Sequence, residues 1–314
     1  MSAISKSVTD YATPRARRSA GAAVWRGDFH FFGGFGAGGG VAPDDVSAEL
    51  WRYDGSWQLL ADGGPGAARY ASLCVLDDAL YLFGGCGVSD GAVIFYDHLW
   101  RYDGVWREID SGATRPPRRY AGALVSDGAK LFLFGGMAEA EYYGDMWCFE
   151  PEECGWRPVS QASTGPGRRY GFGWAADADG LYLFGGYDGS RDHADLWRFE
   201  FATLGWRQLA ADGPPPRYCP AFGLPGGEPL LFGGRSKSNA KLNFSDCWIF
   251  DGAWRALDGP RPGYHAKAAS ASADDQLWLF GGEGPDGHVS DLWRHDPNGW
   301  TCLHGCRDDD PVLW

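Results

Sequence analysis

The chain has 314 residues, of which 48 are glycine and 16 are tryptophan, and its formal net charge is −13. The aromatic content excludes an intrinsically disordered chain, and the excess of acidic residues argues against a generic nucleic-acid or anionic-membrane surface. The sequence has no run of eighteen apolar residues, so we expect no membrane-spanning helix.

Eight cysteines are scattered through the chain, a pattern that favours reduced thiols in a cytoplasmic protein over a disulfide framework. Cys302 and Cys306 flank His304, but this spacing lacks a nearby fourth ligand and does not predict a zinc site. The first 14 residues contain no apolar segment of the kind found in secretory signals. We therefore expect a cytoplasmic protein, and we expect it to be a monomer.

A repeat runs through the whole chain. Each copy has Phe-Gly-Gly at the end of an apolar run, an acidic residue two or three positions before a tryptophan, and a second tryptophan after a short turn. The glycine pairs begin at Gly33, Gly84, Gly135, Gly185, Gly233 and Gly281, in steps of 51, 51, 50, 48 and 48 residues. Short, aromatic-rich apolar runs bounded by turns predict β-strands.

Each repeat predicts four antiparallel strands, a to d, with strand b ending in Gly-Gly and the two tryptophans on strands c and d. Such a sheet has apolar side chains on both faces and must stack on neighbours to bury them. Six units of this kind predict an all-β fold, a six-bladed β-propeller. We expect an N-terminal extension at 1–13, the propeller at 14–303 and a C-terminal tail at 304–314. The blades are expected at about 14–60, 66–110, 115–160, 165–210, 214–258 and 260–303.

The three repeated markers make the sequence resemble the kelch-repeat family over roughly residues 14–303. The resemblance implies a kelch propeller that binds a protein or peptide partner. The connections between strands b and c are longer and more variable than the other turns. We therefore expect function on the face that carries these loops.

Arginine–tyrosine pairs open four of the repeats. In the structural interpretation each arginine holds a neighbouring carboxylate or loop carbonyl. In the functional interpretation the pairs surround the mouth of the central channel and bind an acidic ligand, either a peptide or a small molecule. The candidate ligand-binding residues are Arg69, Tyr70, Arg119, Tyr120, Arg169, Tyr170, Arg217, Tyr218 and Tyr264.

The sixth repeat departs from the others, because the alignment places His265 and Lys267 on its inner strand. A lysine on a channel strand is costly unless it is hydrated or paired. These two residues are the candidate catalytic groups of an alternative function, a small-molecule enzyme such as a metal-free epimerase or isomerase with its site at the channel mouth. The structural alternative is an ordinary, hydrated wall of the last blade.

The following loop contains Glu283, Asp286 and His288, which are residue types that ligate Fe(II). Similarity to nitrile-specifier proteins of the kelch family implies an iron-assisted lyase at such a loop. Those proteins place Glu, Asp and His four residues apart, whereas the spacings here are three and two, so the iron motif is not matched. We expect no bound cofactor, with Fe(II) at these three residues as the alternative.

Overall fold

The computed structural model describes residues 13–36, 45–160, 164–239 and 242–306. Within these ranges the chain forms six four-stranded antiparallel sheets, each built from consecutive segments in the order a–b–c–d. The predicted all-β, six-bladed propeller is therefore confirmed. A short 3-10 turn spans Pro225–Gly227. None of the described segments is a helix that could cross a bilayer.

Strand a of each blade contacts strand a of both neighbouring blades, so these strands line the central axis. Strands a to d are Gly21–Trp25, Asp28–Phe32, Glu49–Tyr53 and Trp57–Asp62 in blade 1; Ser72–Leu76, Ala79–Phe83, Leu99–Tyr102 and Trp106–Ile109 in blade 2; and Ala123–Ser126, Leu131–Phe134, Met146–Glu150 and Gly155–Pro158 in blade 3. They are Gly173–Ala176, Gly180–Phe184, Leu196–Glu200 and Gly205–Ala210 in blade 4; Ala221–Gly223, Leu230–Phe232, Cys247–Phe250 and Trp254–Leu257 in blade 5; and Ala269–Ala273, Gln276–Gly284, Gly287–Asp296 and Gly299–His304 in blade 6.

Among the described residues, three further pairs of short strands lie outside the blades. They are Arg17–Arg18 with Phe35–Gly36, Cys86–Ser89 with Ala92–Phe95, and Met137–Ala138 with Glu141–Tyr142. Of the predicted N-terminal extension only residue 13 is described, and of the predicted tail only residues 304–306, so those boundaries stay predictions.

A closed ring of backbone hydrogen bonds joins the six blades at the axis. One residue per blade donates its N–H to the carbonyl of the equivalent residue in the preceding blade, at N–O distances of 2.5 to 3.2 Å. All six residues have left-handed backbones, with φ between 51 and 62°. We call them the axial ring: Ser19, Tyr70, Ala121, Gly171, Cys219 and Lys267.

The second tryptophan of each repeat is a wedge between blades. Its indole packs against the phenylalanine of Phe-Gly-Gly in the preceding blade, with ring centroids 4.8 to 5.5 Å apart in all six cases. Burying such aromatic pairs supplies much of the apolar stabilisation between blades. The pairs are Trp57–Phe280, Trp106–Phe32, Trp156–Phe83, Trp206–Phe134, Trp254–Phe184 and Trp300–Phe232.

An ion pair inside the blade involves the acidic residue of the repeat, which also binds the indole of the first tryptophan. In blade 4 the buried Arg169 binds both carboxylate oxygens of Asp195 (2.7 and 3.2 Å) and the carbonyl of Gly185 (2.9 Å). The indole of Trp197 donates to the same aspartate at 2.7 Å. We call this arrangement the brace. It recurs with Arg17–Glu49, Arg119–Asp145 and Arg217–Asp246, and with His265–Asp291 in blade 6.

The first glycine of each pair leaves room for the backbone that precedes the inner strand of the next blade. A Cβ atom on Gly84 would lie 2.4 Å from the carbonyl oxygen of Arg119, and one on Gly233 would lie 2.4 Å from that of His265. Both glycines also have a positive φ, 68 and 64°. Glycine is therefore required at this position on two independent grounds.

Blade 2 lacks the brace. Ala68 and His98 occupy the positions that hold arginine and aspartate elsewhere, and they line a cavity of ≈ 20 Å³. The acidic residue assigned to this repeat from the sequence, Asp97, lies one position away and pairs instead with His98 and Arg115. Both partners of the ion pair are replaced together, which avoids an unpaired buried charge.

Blade 6 packs directly onto blade 1, with Phe29 stacked on Trp278 and Phe31 on Phe280 at centroid distances of 5.8 and 4.5 Å. At the end of the last strand Cys302 and Cys306 form a disulfide. The expectation that all eight cysteines are reduced thiols is wrong for this pair, because the chain turns at Gly305 (φ 73°) and returns Cys306 to Cys302. The other six cysteines are free thiols.

The left-handed backbone of the axial ring predicts that glycine stabilises the protein at these positions, whereas glycine in an ordinary strand destabilises it. Ala121 has a φ of 53°, which costs an L-residue about 1 kcal/mol, so Ala121→Gly should raise the free energy of unfolding by about 0.5 kcal/mol. Ala123→Gly, two residues later in an ordinary strand, should lower it by about 1 kcal/mol. Urea denaturation measures both variants, and equal destabilisation would show that Ala121 is not strained.

The brace predicts a stability role for the buried arginines. Arg169→Met leaves Asp195 unpaired, and it should lower the free energy of unfolding by about 3 kcal/mol. The control is Arg207→Gln, which removes an exposed pair with Glu200 (3.4 Å) and should change stability by less than about 0.5 kcal/mol. Similar urea midpoints for the two variants would contradict the brace.

Candidate functional site

Three positions per blade surround one end of the channel, and we call this surface the channel mouth. The inner position is the axial ring. The middle position is the residue before it: Arg18, Arg69, Tyr120, Tyr170, Tyr218 and Ala266. The outer position follows Gly-Gly and pairs through its backbone with the middle one: Phe35, Cys86, Met137, Tyr187, Arg235 and Glu283.

The structure corrects the sequence alignment in two blades. The Arg-Tyr pairs align Arg69 with Arg119, but backbone pairing shows that Arg69 corresponds to Tyr120, and that Ala68 corresponds to Arg119. His265 and Lys267 both precede strand a of blade 6, so their placement on the inner strand is wrong, and Lys267 belongs to the axial ring. In both blades, segments that look alike in sequence do not occupy equivalent positions in the structure.

The sequence-predicted arginines divide into two groups. The guanidinium groups of Arg119, Arg169 and Arg217 are buried in braces, as the structural interpretation expects, and point away from solvent. Arg69 is half-buried at the mouth, where its guanidinium lies 5.1 Å from the ring of Phe35. Arg69 therefore remains available to a ligand.

Tyrosines form one side of the mouth, over blades 2 to 4. Tyr120 lies at the centre, with ring centroids 5.5 Å from Tyr70, 5.7 Å from Phe95 and 6.0 Å from Tyr170. Tyr218 continues this wall, 6.1 Å from Tyr170. Burial raises the pKa of Tyr120, Tyr170 and Tyr218, so these phenols stay neutral.

Cations form the opposite side, where blades 5, 6 and 1 meet. The carboxylate of Glu283 accepts hydrogen bonds from Lys267 Nζ (2.8 Å), from Arg235 Nη1 (2.9 Å) and from Arg18 Nη1. Lys237 Nζ lies 5.7 Å from the ring of Tyr218. We call Arg18, Arg235, Lys237 and Lys267 the cation cluster.

Lys267 is the most enclosed member of the cation cluster. Burial lowers the pKa of Lys267 to about 7, and the neighbouring cations Arg18, Arg235 and Lys237 add to this shift. A cavity of ≈ 100 Å³ lies inside the axial ring, lined by Lys267, Cys219 and Ser270, with Trp174 on its wall. The mouth therefore joins an amine that titrates near neutrality to a small, half-open cavity.

The two other candidates of the sixth repeat differ in their surroundings, because His265 belongs to a brace and Tyr264 lies at the mouth. His265 takes the arginine position of the brace, with Nε2 3.0 Å from Asp291 and Nδ1 3.0 Å from the carbonyl of Gly263. Tyr264 lies beside the cation cluster, and burial raises its pKa to about 12. A neutral phenol at this edge can donate a hydrogen bond to an anion.

The three candidate iron ligands do not fit a metal ion. Both oxygens of Glu283 are taken by cations, which would repel Fe(II). Asp286 is exposed at the hairpin turn, and the imidazole of His288 stacks edge-on against Phe35, with centroids 5.9 Å apart. No group of three potential metal ligands forms among the residues that the structure describes.

Sequence reasoning singled out Lys267 and Glu283 but missed their partners. Arg18 and Arg235 lie far from them in the chain and meet them where the propeller closes. A signal was present, because the residue after each Gly-Gly pair is uncharged in four repeats and charged at Arg235 and Glu283. Comparison of that position between repeats would have identified the pair.

Similarity to known proteins supports the repeat assignment. The family model described as the KLHDC2/KLHL20/DRC7 kelch-repeats domain matches residues 71–256. The solved structure of YjhT is similar in fold, with a TM-score of 0.74 at 18% identity over 93% of this chain and 99% of that chain. No curated protein sequence matches the chain. Because the family model covers more than half of the residues, the chain belongs to the kelch-repeat propellers.

Proposed function

We propose that the channel mouth binds an acidic ligand, in particular an acidic segment of a protein or peptide partner. The observation that carries this proposal is the cation cluster. Arg18, Arg235, Lys237 and Lys267, together with Arg69, place five basic side chains at the mouth of a chain whose net charge is −13. Glu283 contacts three of them and offsets one charge.

Local charge supports this function despite the overall negative charge. Positive groups in a concave, partly buried site focus the field and raise the local concentration of anions. Arginine guanidinium groups also bind carboxylates with directional hydrogen bonds. Because the remaining surface is acidic, an acidic ligand would be repelled elsewhere and steered to the mouth.

The tyrosine wall supports a peptide rather than a simple ion. Tyr70 and Tyr120 are half-buried at the mouth and pack with the buried Tyr170 and Tyr218, and the rings and hydroxyl groups of such partly exposed tyrosines are of the kind that contributes to protein recognition. Kelch-repeat propellers commonly mediate binding. We expect the partner to place acidic side chains on the cation cluster and its remaining surface on the tyrosines.

A second candidate function is that of a small-molecule enzyme without a metal. The pKa of Lys267, near 7, and the cavity beside it favour this alternative, because a neutral amine there could take a proton from a carbon next to a bound carboxylate. Deuterium incorporation from D₂O into small hydroxy acids, lost in Lys267→Met, would support it. Stoichiometric iron in protein purified anaerobically with iron supplied would instead favour the iron-assisted lyase.

Binding of an acidic peptide tests the leading proposal. Calorimetric titration with hexaglutamate should show binding that hexaglutamine does not reproduce, and Arg235→Gln should weaken it about tenfold and reduce its dependence on salt. The control Arg26→Gln removes the same charge from an exposed pair with Asp78, on a turn between strands a and b. Equal weakening by the two variants would locate binding away from the mouth.

The same peptide should bind in a pH-dependent manner. Lys267 is protonated below its pKa of about 7 and neutral above it, so the mouth loses a positive charge as the pH rises from 6 to 8. Affinity for hexaglutamate should fall about fivefold, the effect of about 1 kcal/mol. Lys267→Met should abolish this dependence while leaving weaker binding, and an unchanged pH profile in that variant would assign the titration to another group.

A further inference from the structure

Glu283 is held rigidly over the channel mouth. Strand b of blade 6 continues through its glycine pair as far as Gly284 and forms a tight hairpin with strand c, unlike strand b in the other five blades. The backbone of Glu283 exchanges two hydrogen bonds with Ala266, at 2.7 and 3.1 Å. The carboxylate is therefore presented to the cation cluster from a fixed backbone.

The contacts of this carboxylate differ from those of a simple ion pair. One oxygen receives Lys267 and Arg18, and the other receives Arg235, so cations from three blades converge on one acid. The braces elsewhere pair one carboxylate with one basic residue. Three donors around two oxygens is the arrangement expected of a bound carboxylate ligand.

The charges around Glu283 do not balance. Where Lys267 is protonated, one negative charge faces three positive ones, and the four side chains are between 9 and 24% exposed. Partly buried excess charge is costly, so an anion is needed to stabilise the cluster. Glutamate on this hairpin supplies that anion from within the chain.

We propose that Glu283 is an internal competitor of the ligand: it occupies the carboxylate position formed by Arg18, Arg235 and Lys267, and a carboxylate group of the acidic ligand replaces it there. This inference rests on the proposed function and names the group recognised, a single planar carboxylate. The flexible side chain of Glu283 can turn toward solvent while the hairpin backbone stays in place. The apparent affinity for the ligand is then the intrinsic affinity multiplied by the fraction of molecules in which the Glu283 carboxylate has left the cation cluster.

The experiment compares Glu283→Gln with wild type in the hexaglutamate titration. Removing the internal competitor should tighten binding by at least about tenfold. The matched control Glu139→Gln changes the net charge equally and removes an exposed pair with Arg118, which also lies on the loop face. Its affinity should stay within about twofold of wild type.

Three results would overturn the inference. Weaker binding by Glu283→Gln, with wild type still binding, would show that Glu283 positions the cations, and the proposed function would stand. Equal tightening in Glu139→Gln would reduce the effect to net charge, again leaving the proposed function intact. Absence of binding in both wild type and Glu283→Gln would contradict the competitor and the proposed function together.

A second measurement tests the proposal if the Glu283→Gln variant is less stable than wild type. If Glu283→Gln unfolds at a lower temperature, sodium acetate should raise its melting temperature several degrees more than sodium chloride at equal ionic strength, because acetate fills the vacated position. Wild type and Glu139→Gln should show no such difference between the two salts. Identical responses to acetate and chloride in Glu283→Gln would contradict the proposal.

Discussion

Six peptide groups arranged in a closed ring set the geometry of this propeller. Each N–H of the axial ring donates to the carbonyl of the equivalent residue in the preceding blade, so the position of every blade at the axis is fixed by its neighbours on both sides. The bonds are made by backbone atoms alone. Side chains as different as those of Gly171, Tyr70 and Lys267 can therefore occupy equivalent places. Blade 6 meets blade 1 through the same bond that joins every other pair, between Ser19 and Lys267.

The side chains that hold the blades together are different from those that face the channel mouth. Side chains that pack between or within blades recur because they make the same contacts in each copy. These contacts are a tryptophan wedge, a glycine pair, and a brace in five blades out of six. Side chains that face the mouth are free to differ, because they satisfy no framework contact that all blades share. Tyrosines collect on one side and cations on the other, which gives the mouth a polarity that the backbone lacks. The functional proposal depends on this polarity.

The sequence predicted the framework well and the site only in part. Phe-Gly-Gly and the two tryptophans are contiguous or short-range markers, and they located all six blades. The register of the mouth was harder to predict, because it depends on a left-handed residue in each blade that has no residue signature, from Ser19 to Lys267. Arg69 and Arg119 look equivalent as Arg-Tyr pairs, yet one faces the mouth and the other is buried.

Long-range contacts explain the other differences. Arg235 and Glu283 meet because blades 5 and 6 pack together, and Arg18 joins them only because the propeller closes. No local motif could join these residues, and Glu283 was grouped instead with its sequence neighbours Asp286 and His288. The compensated change in blade 2, where Ala68 and His98 replace a brace together, is equally invisible in a single repeat. The disulfide between Cys302 and Cys306 depends on a turn that forms only at the end of the last strand.

Hydrogen exchange measured with and without saturating hexaglutamate tests most directly whether the polarity of the mouth determines where the ligand binds. The account predicts slower exchange in segments 15–20, 233–239, 264–268 and 281–289, which carry or adjoin the cation cluster. Exchange should be unchanged in the turns between strands a and b at the other end of the channel. Protection confined to those turns, or spread evenly over all six blades, would contradict the account.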